Sequence, residues 1–295
     1  MKIIMYHYVR NYNKNQKYFH FIDKKKFISQ IDKYSNKIVN NEKQIIGTTD
    51  KILLTFDDGL KDHYFVAKEL KKRNLTGIFF IPSLPYENGK ILNVHLVHLI
   101  LGKIGGKVAN EELNKFIKEK KITNLVDPLK KKKFNSRYVK QKDYDESKKF
   151  KKIINYYGIE KYKAKILSHL KKKFKVKSKF SDVYLTKKQI IKMKKMGMII
   201  GSHSSSHKVL SNLNYNDQLY EIKSSKKFIE NLIKEKCFHF CFPYGRKNSY
   251  NKNTLRILSN LGFKYGYSVE SRNATRKDIL KVKYEIPRYD ANEFN

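Results

Sequence analysis

The stretch KILLTFDDGL, residues 51–60, decides the fold of this chain. Its first half is a short apolar run, typical of a strand that is buried on both faces of a parallel sheet. Because successive side chains of a strand point to opposite faces, the adjacent Asp57 and Asp58 do not both fit a core. We therefore expect the strand to end at Phe56 and the chain to turn at Gly59, so that both carboxylates reach one pocket.

Two carboxylates at the end of a buried strand can divide two tasks between them. One would bind a metal cation and the other would act as a base. Asp-Gly is also a common signal of a surface turn, and from this stretch alone the surface turn is the better interpretation. The choice depends on what the other strand ends carry.

The composition indicates a folded α/β protein with a large core. The chain has 295 residues, of which 40% are hydrophobic and 13% aromatic. Lys and Arg number 65 against 27 Asp and Glu, a formal net charge of +38. The lysines are spread along the chain without a recognisable binding module, so we expect no specific nucleic-acid partner. They would permit peripheral contact with an anionic membrane or with phosphate groups.

The cysteines and the N-terminus predict a location inside the cell. Cys237 and Cys241 are too few for a secreted disulfide framework. The opening MKIIMYHYVR is too short and polar for a signal peptide, and no apolar run is long enough to span a membrane. We therefore expect a cytoplasmic protein, at most peripheral at the inner membrane face.

Strand and helix patterns alternate along most of the chain. Strands over residues 3–8 and 76–82, with a helix over 63–73, indicate parallel βα units. Residues 83–185 break this alternation, because they are mainly helical patterns separated by lysine runs. We predict a single catalytic domain over residues 1–295 that contains a helical insertion at 83–185.

The second motif with chemical content is IIGSHSSSH, residues 199–207. An apolar strand again ends in polar residues, among them His203 and His207. Two histidines four positions apart face the same way if one helical turn lies between them, and a third ligand would complete an open zinc site. Two exposed histidines in a serine-rich loop explain the spacing equally well.

The third motif is FHFCFPYG, residues 238–245, where an apolar strand ends in a Pro-Tyr-Gly turn. Cys237, His239 and Cys241 alternate along this strand, and packing residues are a better interpretation of them than a metal trio.

Three strands that each end in reactive or turn-forming residues indicate a β/α barrel. Active sites of such barrels lie at the carboxyl ends of the strands. Asp57, Asp58, His203 and His207 would meet there although they are far apart in the sequence. This coincidence outweighs any single motif.

Together these motifs resemble the polysaccharide deacetylase family, carbohydrate esterase family 4. The resemblance is carried by TFDDG at 55–59, HSSSH at 203–207 and FPYG at 242–245, with MYH at 5–7 and IPR at 286–288. It covers residues 1–82 and 186–290. It implies a distorted (β/α) barrel and metal-dependent removal of N-acetyl, less often O-acetyl, groups from sugars.

Carried over by position, the resemblance implies that Asp58, His203 and His207 hold the metal and that Asp57 is the general base. Zn²⁺ is the metal we expect for two imidazoles and a carboxylate, while Co²⁺, Ni²⁺ or Fe²⁺ fit the same ligands.

The turn at Pro243 and Tyr244 would bind the substrate, with the Tyr244 backbone N–H donating to the oxyanion. Many relatives carry an arginine shortly before this turn, and it orients the base. Cys241 and Phe242 stand there in this chain. Arg288 is the alternative partner of the base.

Many relatives also supply a C-terminal histidine as the general acid, and this chain has none after His239. His98 would take that part if the insertion folds over the mouth of the barrel. His95, His7 and the metal-bound water are the alternatives.

The leading hypothesis is a metal-dependent carbohydrate deacetylase that acts on a sugar or glycan precursor of cell-surface polysaccharide. A barrel that binds glycan with impaired catalysis is one alternative. A metal hydrolase or amidase with a non-sugar substrate is another, because ligand sets indicate the reaction better than the substrate.

Overall fold

The computed structural model describes residues 1–47, 50–139 and 143–294. It divides the chain into two compact units. The first unit comprises Met1–Asn11, Phe21–Lys90 and Phe180–Asn295, and the second comprises Tyr12–His20 and Ile91–Lys179. The motifs at residues 55–59, 203–207 and 242–245 therefore all lie in the first unit.

The first unit is built on a parallel sheet. In chain order the strands are β1 (Lys2–Tyr6), β2 (Val9–Arg10), β3 (Ile22–Asp23), β4 (Ile52–Phe56), β5 (Ile78–Ile81), β6 (Ile199–Ser202), β7 (His239–Cys241), β8 (Tyr265–Tyr267) and β9 (Tyr289–Asp290). Seven of them form one sheet in the order β8-β7-β6-β5-β4-β1-β9, while β2 and β3 pair with each other. All pairings between these described strands are parallel, as the alternating strand and helix patterns predict.

The chain just before β9 connects the two edges of the sheet. Ile286 pairs with Tyr267 of β8, and β9 pairs with β1 from Ile4 to Met5. The sheet therefore curls into a barrel whose last strand is only two residues long. The predicted fold class, a distorted (β/α) barrel, is confirmed.

Helices flank the strands and fill the second unit. In chain order they are α1 (Lys24–Lys33), α2 (Lys43–Gly47), α3 (His63–Lys72), α4 (Leu84–Asn88), α5 (Asn93–Glu119), α6 (Pro128–Phe134), α7 (Asp145–Lys152), α8 (Glu160–Lys173), α9 (Phe180–Val183), α10 (Lys187–Lys195), α11 (Tyr215–Ile233) and α12 (Lys252–Asn260). Short 3₁₀ or π turns cover Lys14–Gln16, Ile153–Tyr157, Leu210–Asn212, Asp278–Val282 and Ala291–Glu293.

The strands are buried on both faces because neighbouring residues pack into different clusters. Leu53 and Phe80 belong to the cluster inside the barrel, which also contains Tyr267 of β8. Leu54 and Phe79 belong to the cluster between the sheet and its helices. This packing explains why the strands are continuous apolar runs without alternating polar residues.

The second unit is helical, as predicted for the insertion, and contains α5 to α8. Its bounds differ from the predicted 83–185, since residues 83–90 and 180–185 belong to the first unit and residues 12–20 belong to the second. Helices α5 and α7 approach closely at Gly106, where an added Cβ would lie 2.2 Å from the Ser147 nitrogen. The assignment of one catalytic domain to residues 1–295 stays a prediction.

Within the described ranges, no helix combines the length and the apolar character that crossing a membrane requires.

Candidate metal centre

The two acidic residues lie at the carboxyl end of β4, where the strand turns. Asp57 still donates its backbone N–H to the Tyr6 carbonyl at 2.9 Å, so the ladder with β1 extends one residue beyond the strand. Asp58 and Gly59 then have φ values of 82° and 60°. These left-handed conformations reverse the chain and direct the side chains of Asp57 and Asp58 into the protein. The two residues are 2% and 1% exposed.

The two histidines follow β6 in a loop that is not helical. The helical turn that was one way to bring them together is not formed, because Ser204 and His207 have left-handed φ values of 58° and 57°. His203 and His207 nevertheless converge, with ring centroids 4.8 Å apart. The loop backbone therefore brings the two rings together without a turn of helix.

Asp58, His203 and His207 form a compact set of three ligand atoms. Asp58 Oδ1 lies 3.3 Å from Nε2 of each histidine. One ligand atom from each residue lies within 4.8 Å of the others, and all three residues are buried. A carboxylate and two imidazoles at this spacing fit a divalent transition metal with open coordination positions.

The hydrogen bonding of His203 supports the same assignment. Its Nδ1 lies 2.8 Å from the Cys241 carbonyl oxygen, which only accepts, so the proton sits on Nδ1. Its Nε2 is buried and makes no hydrogen bond with a residue in the described part of the chain. Such a nitrogen is available for a cation.

The pKa of His203 is raised well above its ordinary value. Burial alone would lower this pKa, but the hydrogen bonds with Asp58 and Cys241 and the charge of the Asp57 carboxylate outweigh burial. A cation at this site would have to displace the proton from the imidazole.

Asp57 is held by Arg288, which precedes β9 and is fully buried. The Arg288 Nη1 and Nη2 groups donate to the two carboxylate oxygens at 2.8 and 2.9 Å. Nε donates to the Ser268 carbonyl at 3.0 Å, and Nη1 also donates to Thr55 Oγ1 at 3.1 Å. Arg288 is thus a partner of Asp57, the predicted base. These hydrogen bonds fix the planes of the guanidinium and of the carboxylate.

This pair sets the charge of the site. Burial alone would raise the pKa of the Asp57 carboxyl, but the charge and hydrogen bonds of Arg288 outweigh it and lower the pKa to about 2. Burial likewise opposes the charge on Arg288, and the Asp57 carboxylate raises the pKa of Arg288 above its ordinary value. Asp57 is therefore ionised at any pH near neutrality.

Cys241 lies beside this pair at the end of β7. Its Sγ is 3.0 Å from Arg288 Nη2 and 3.4 Å from Asp57 Oδ2. Burial raises the pKa of the Cys241 thiol, although Arg288 acts against it, so the sulfur stays protonated near neutrality. The small Cys241 side chain leaves room for the Arg288 guanidinium beside it.

Pro243 and Tyr244 follow β7 on the rim of the same site. Tyr244 has φ 64°, and its ring lies 4.8 Å from the His207 ring. The turn is fixed because Val269 donates its N–H to the Gly245 carbonyl at 2.8 Å. The part assigned to the Tyr244 backbone N–H stays a prediction.

The histidines proposed as general acid lie in different places. His98 and His95 lie on α5 in the second unit, with ring centroids 6.1 Å apart. The part assigned to His98 stays a prediction. His7, an alternative from the sequence, follows β1, and its Nε2 lies 3.9 Å from Asp58 Oδ2.

A buried histidine, His63 of α3, supports this region from behind. Its Nε2 donates to the His7 carbonyl at 2.9 Å, and its ring packs against both Phe56 and Phe79. Burial lowers the pKa of His63 to about 4, although its hydrogen bond with the His7 carbonyl raises the pKa. His63 is thus neutral in the folded protein at pH values where the unfolded chain protonates it.

This depressed pKa predicts a pH-dependent stability. Between the unfolded pKa near 6.5 and the folded pKa near 4, the unfolded state binds the additional proton. The stabilisation is therefore present above pH 6.5 and is lost as the pH falls toward 4. From pH 7 to pH 5, the free energy of unfolding should fall by about 2 kcal/mol more in the wild type than in His63→Gln. Urea unfolding at both pH values measures this difference. An equal fall in the free energy of unfolding in the wild type and in His63→Gln would contradict it.

Comparisons with known proteins agree with this geometry. The sequence model of the polysaccharide deacetylase family matches residues 144–266, which include both histidines and the Pro-Tyr-Gly turn. The putative polysaccharide deacetylase YxkH of Bacillus subtilis is 31% identical over 103 residues, 35% of this chain and 36% of that protein. The match thus spans little more than a third of this relative.

Solved structures show the same fold at low sequence identity. The Streptococcus pyogenes deacetylase PplD in complex with acetate has a TM-score of 0.61 at 16% identity, over 98% of this chain and 91% of that chain. The deacetylase domain of BpsB from Bordetella bronchiseptica has a TM-score of 0.55 at 13% identity, over 98% and 94%. A de-N-acetylase from Aggregatibacter actinomycetemcomitans has a TM-score of 0.53 at 14% identity, over 98% and 93%. The chain therefore has the fold of these deacetylases, and its residues 144–266 match the sequence model of the polysaccharide deacetylase family, as the motifs predict.

Proposed function

We propose that this chain is a metal-dependent deacetylase of acetylated sugars or glycans. The observation that carries the proposal is one cluster at the carboxyl ends of β4, β6 and β7. There the ligand set Asp58, His203 and His207 lies beside an Asp57 carboxylate fixed by Arg288. The family match and the fold support the substrate class.

The ligand set would hold Zn²⁺, or Co²⁺, Ni²⁺ or Fe²⁺ with the same donors. When bound there, the cation supplies a Lewis acid for the acetyl carbonyl and lowers the pKa of water. Asp58 provides the negative charge of the site, and His203 provides Nε2 because its Nδ1 is committed to the Cys241 carbonyl.

Asp57 would accept the proton of the attacking water. A base with a pKa of about 2 is weak, so its contribution comes from constant ionisation and fixed position. Arg288 keeps Asp57 ionised through its charge, and it fixes the carboxylate in place by donating to both oxygens. The Tyr244 backbone N–H would donate to the oxyanion as the carbonyl carbon becomes tetrahedral. His98 is our proposed donor of the proton that the leaving group takes.

We propose N-acetyl over O-acetyl groups as the substrate, because one structural relative is named a de-N-acetylase. The test is acetate release from N-acetylated sugar oligomers, nucleotide sugars and matching O-acetylated sugars by metal-stripped and zinc-loaded protein. We expect zinc-dependent acetate from the N-acetylated set. Metal-dependent hydrolysis of a non-sugar amide alone would favour the amidase alternative. Glycan binding without any acetate release would favour the alternative of a barrel that binds glycan with impaired catalysis.

The ligand assignment predicts the behaviour of His207→Ala. Because one of three ligands is lost, we expect zinc affinity to fall by more than about 100-fold and acetate release to disappear with it. His239→Ala is the matched control, since His239 is also a buried histidine but lies on β7, where it contacts Tyr267 and Glu42. Calorimetric zinc titration of both variants gives the result, and wild-type affinity in His207→Ala would contradict the assignment.

A further inference from the structure

The loop that carries the two histidines needs external support. Ser204 and His207 adopt left-handed backbone conformations that residues with a side chain rarely take. Such conformations persist only where surrounding contacts hold them. Because His207 and its neighbour His203 provide two of the three proposed ligands, whatever holds this loop also holds the metal centre.

Glu221 of α11 contacts the middle of this loop through three donors. Its Oε2 accepts hydrogen bonds from the backbone N–H groups of Ser205 at 3.1 Å and Ser206 at 2.7 Å. Its Oε1 accepts from the Ser206 hydroxyl. Glu221 is 5% exposed, so water does not compete for these donors. One buried carboxylate therefore fixes two of the three backbone amides that lie between the histidines.

Other contacts fix the remaining parts of the loop. Ser202, at the end of β6, pairs with Ser225, one helical turn after Glu221, through hydroxyls 2.9 Å apart. From β5's side, Ser83 donates its backbone N–H to the Ser204 carbonyl at 3.3 Å. Other residues thus hold the end of β6 and the Ser204 carbonyl, while Glu221 holds the backbone amides of Ser205 and Ser206.

We propose that Glu221 is a positioning residue of the metal centre. Its carboxylate holds the loop so that His203 and His207 converge before a cation binds. Glu221 acts through the loop backbone and binds neither the cation nor the substrate. This inference rests on the proposed function, and it adds the helix α11 to the machinery. Residues that orient metal ligands typically change metal affinity by about 10- to 100-fold when they are replaced.

The test uses three substitutions at Glu221 and one control. Glu221→Ala removes the acceptor, Glu221→Gln keeps the reach without the charge, and Glu221→Asp keeps the charge without the reach. Glu230→Ala is the control, because Glu230 lies on the same helix and accepts from the Cys237 backbone N–H at 3.0 Å. Its contacts lie before β7, away from the histidine loop. The readouts are the dissociation constant and visible absorption spectrum of the Co²⁺-loaded full-length protein, and the Tm of the metal-free protein.

We expect Glu221→Ala to bind Co²⁺ at least about 10-fold more weakly, with an altered spectrum, while Glu230→Ala lowers only the Tm. Glu221→Gln should restore most of the affinity, because one oxygen still serves both amides and its NH₂ donates to the Ser206 hydroxyl. Glu221→Asp should not restore it.

Wild-type cobalt affinity in Glu221→Ala would overturn the positioning role. If Glu221→Ala does not fold, the other two substitutions decide, and higher affinity in Glu221→Asp than in Glu221→Gln would overturn it. Absence of cobalt binding by the wild type would instead contradict the proposed function.

Discussion

Asp57→Asn should reduce acetate release by about 100- to 10,000-fold while the protein still binds its metal. The substitution removes the acceptor of the water proton but leaves Asp58, His203 and His207 in place. Its amide keeps the size of the carboxylate and one acceptor oxygen for Arg288. The measurement combines kcat for acetate release with a calorimetric zinc titration of the same preparation.

The control for this variant is Asp278→Asn. Asp278 also forms a two-pronged pair with an arginine of the first unit, since Arg272 donates to its oxygens at 2.8 and 3.0 Å. We expect Asp278→Asn to cost stability and leave kcat unchanged. Substantial acetate release by zinc-loaded Asp57→Asn would show that another group takes the proton.

Arg288→Met should destabilise the protein by about 3–5 kcal/mol, because it leaves the Asp57 carboxylate buried without its cation. The same change removes the effect that lowers the pKa of Asp57, so burial would dominate and raise this pKa. We therefore also expect the acid limb of the pH–activity profile to move to higher pH. Urea unfolding and kcat measured across pH test both effects.

The double variant Asp57→Asn/Arg288→Met isolates the pair. With the buried charge removed, we expect it to be more stable than Arg288→Met alone, which gives a coupling energy through the double-mutant cycle. Additive losses of stability in the two single variants would contradict direct pairing.

The strand ends were predictable because each carries its own local signal. The apolar run before Asp57 and the glycine after Asp58 indicate a buried strand and a turn, and β4 ends at Phe56 as expected. Helix α10 begins at a local signal of the same kind, since the Thr186 hydroxyl accepts from the Gln189 N–H at 3.2 Å. The resemblance to a known family indicated that these separate strand ends form one metal site.

The contacts across the fold were less accessible from the sequence. His203 and His207 converge through two left-handed residues, Ser204 and His207 itself, which no propensity of serine or histidine predicts. Arg288 was a weak expectation, because a lone arginine before a two-residue strand carries no pattern of burial. Glu221 carries no sign of its burial in the sequence, since it is one of several polar residues on α11.

The insertion shows a similar limit. Its helical patterns predicted the content of the second unit, but residues 12–20 belong to that unit although they lie far away in sequence. Tyr18 donates its backbone N–H to the Gly102 carbonyl at 3.1 Å, a contact that no local pattern indicates. Long-range pairing of this kind depends on packing and not on composition.

The most direct test of the central claim is the rate of acetate release as zinc is added to metal-stripped protein, with an N-acetylated sugar oligomer as substrate. We predict that the rate rises in proportion to zinc and stops rising at one equivalent, and that His207→Ala stays inactive throughout. Acetate release that persists in the metal-stripped protein, or that is equal in His207→Ala, would contradict it.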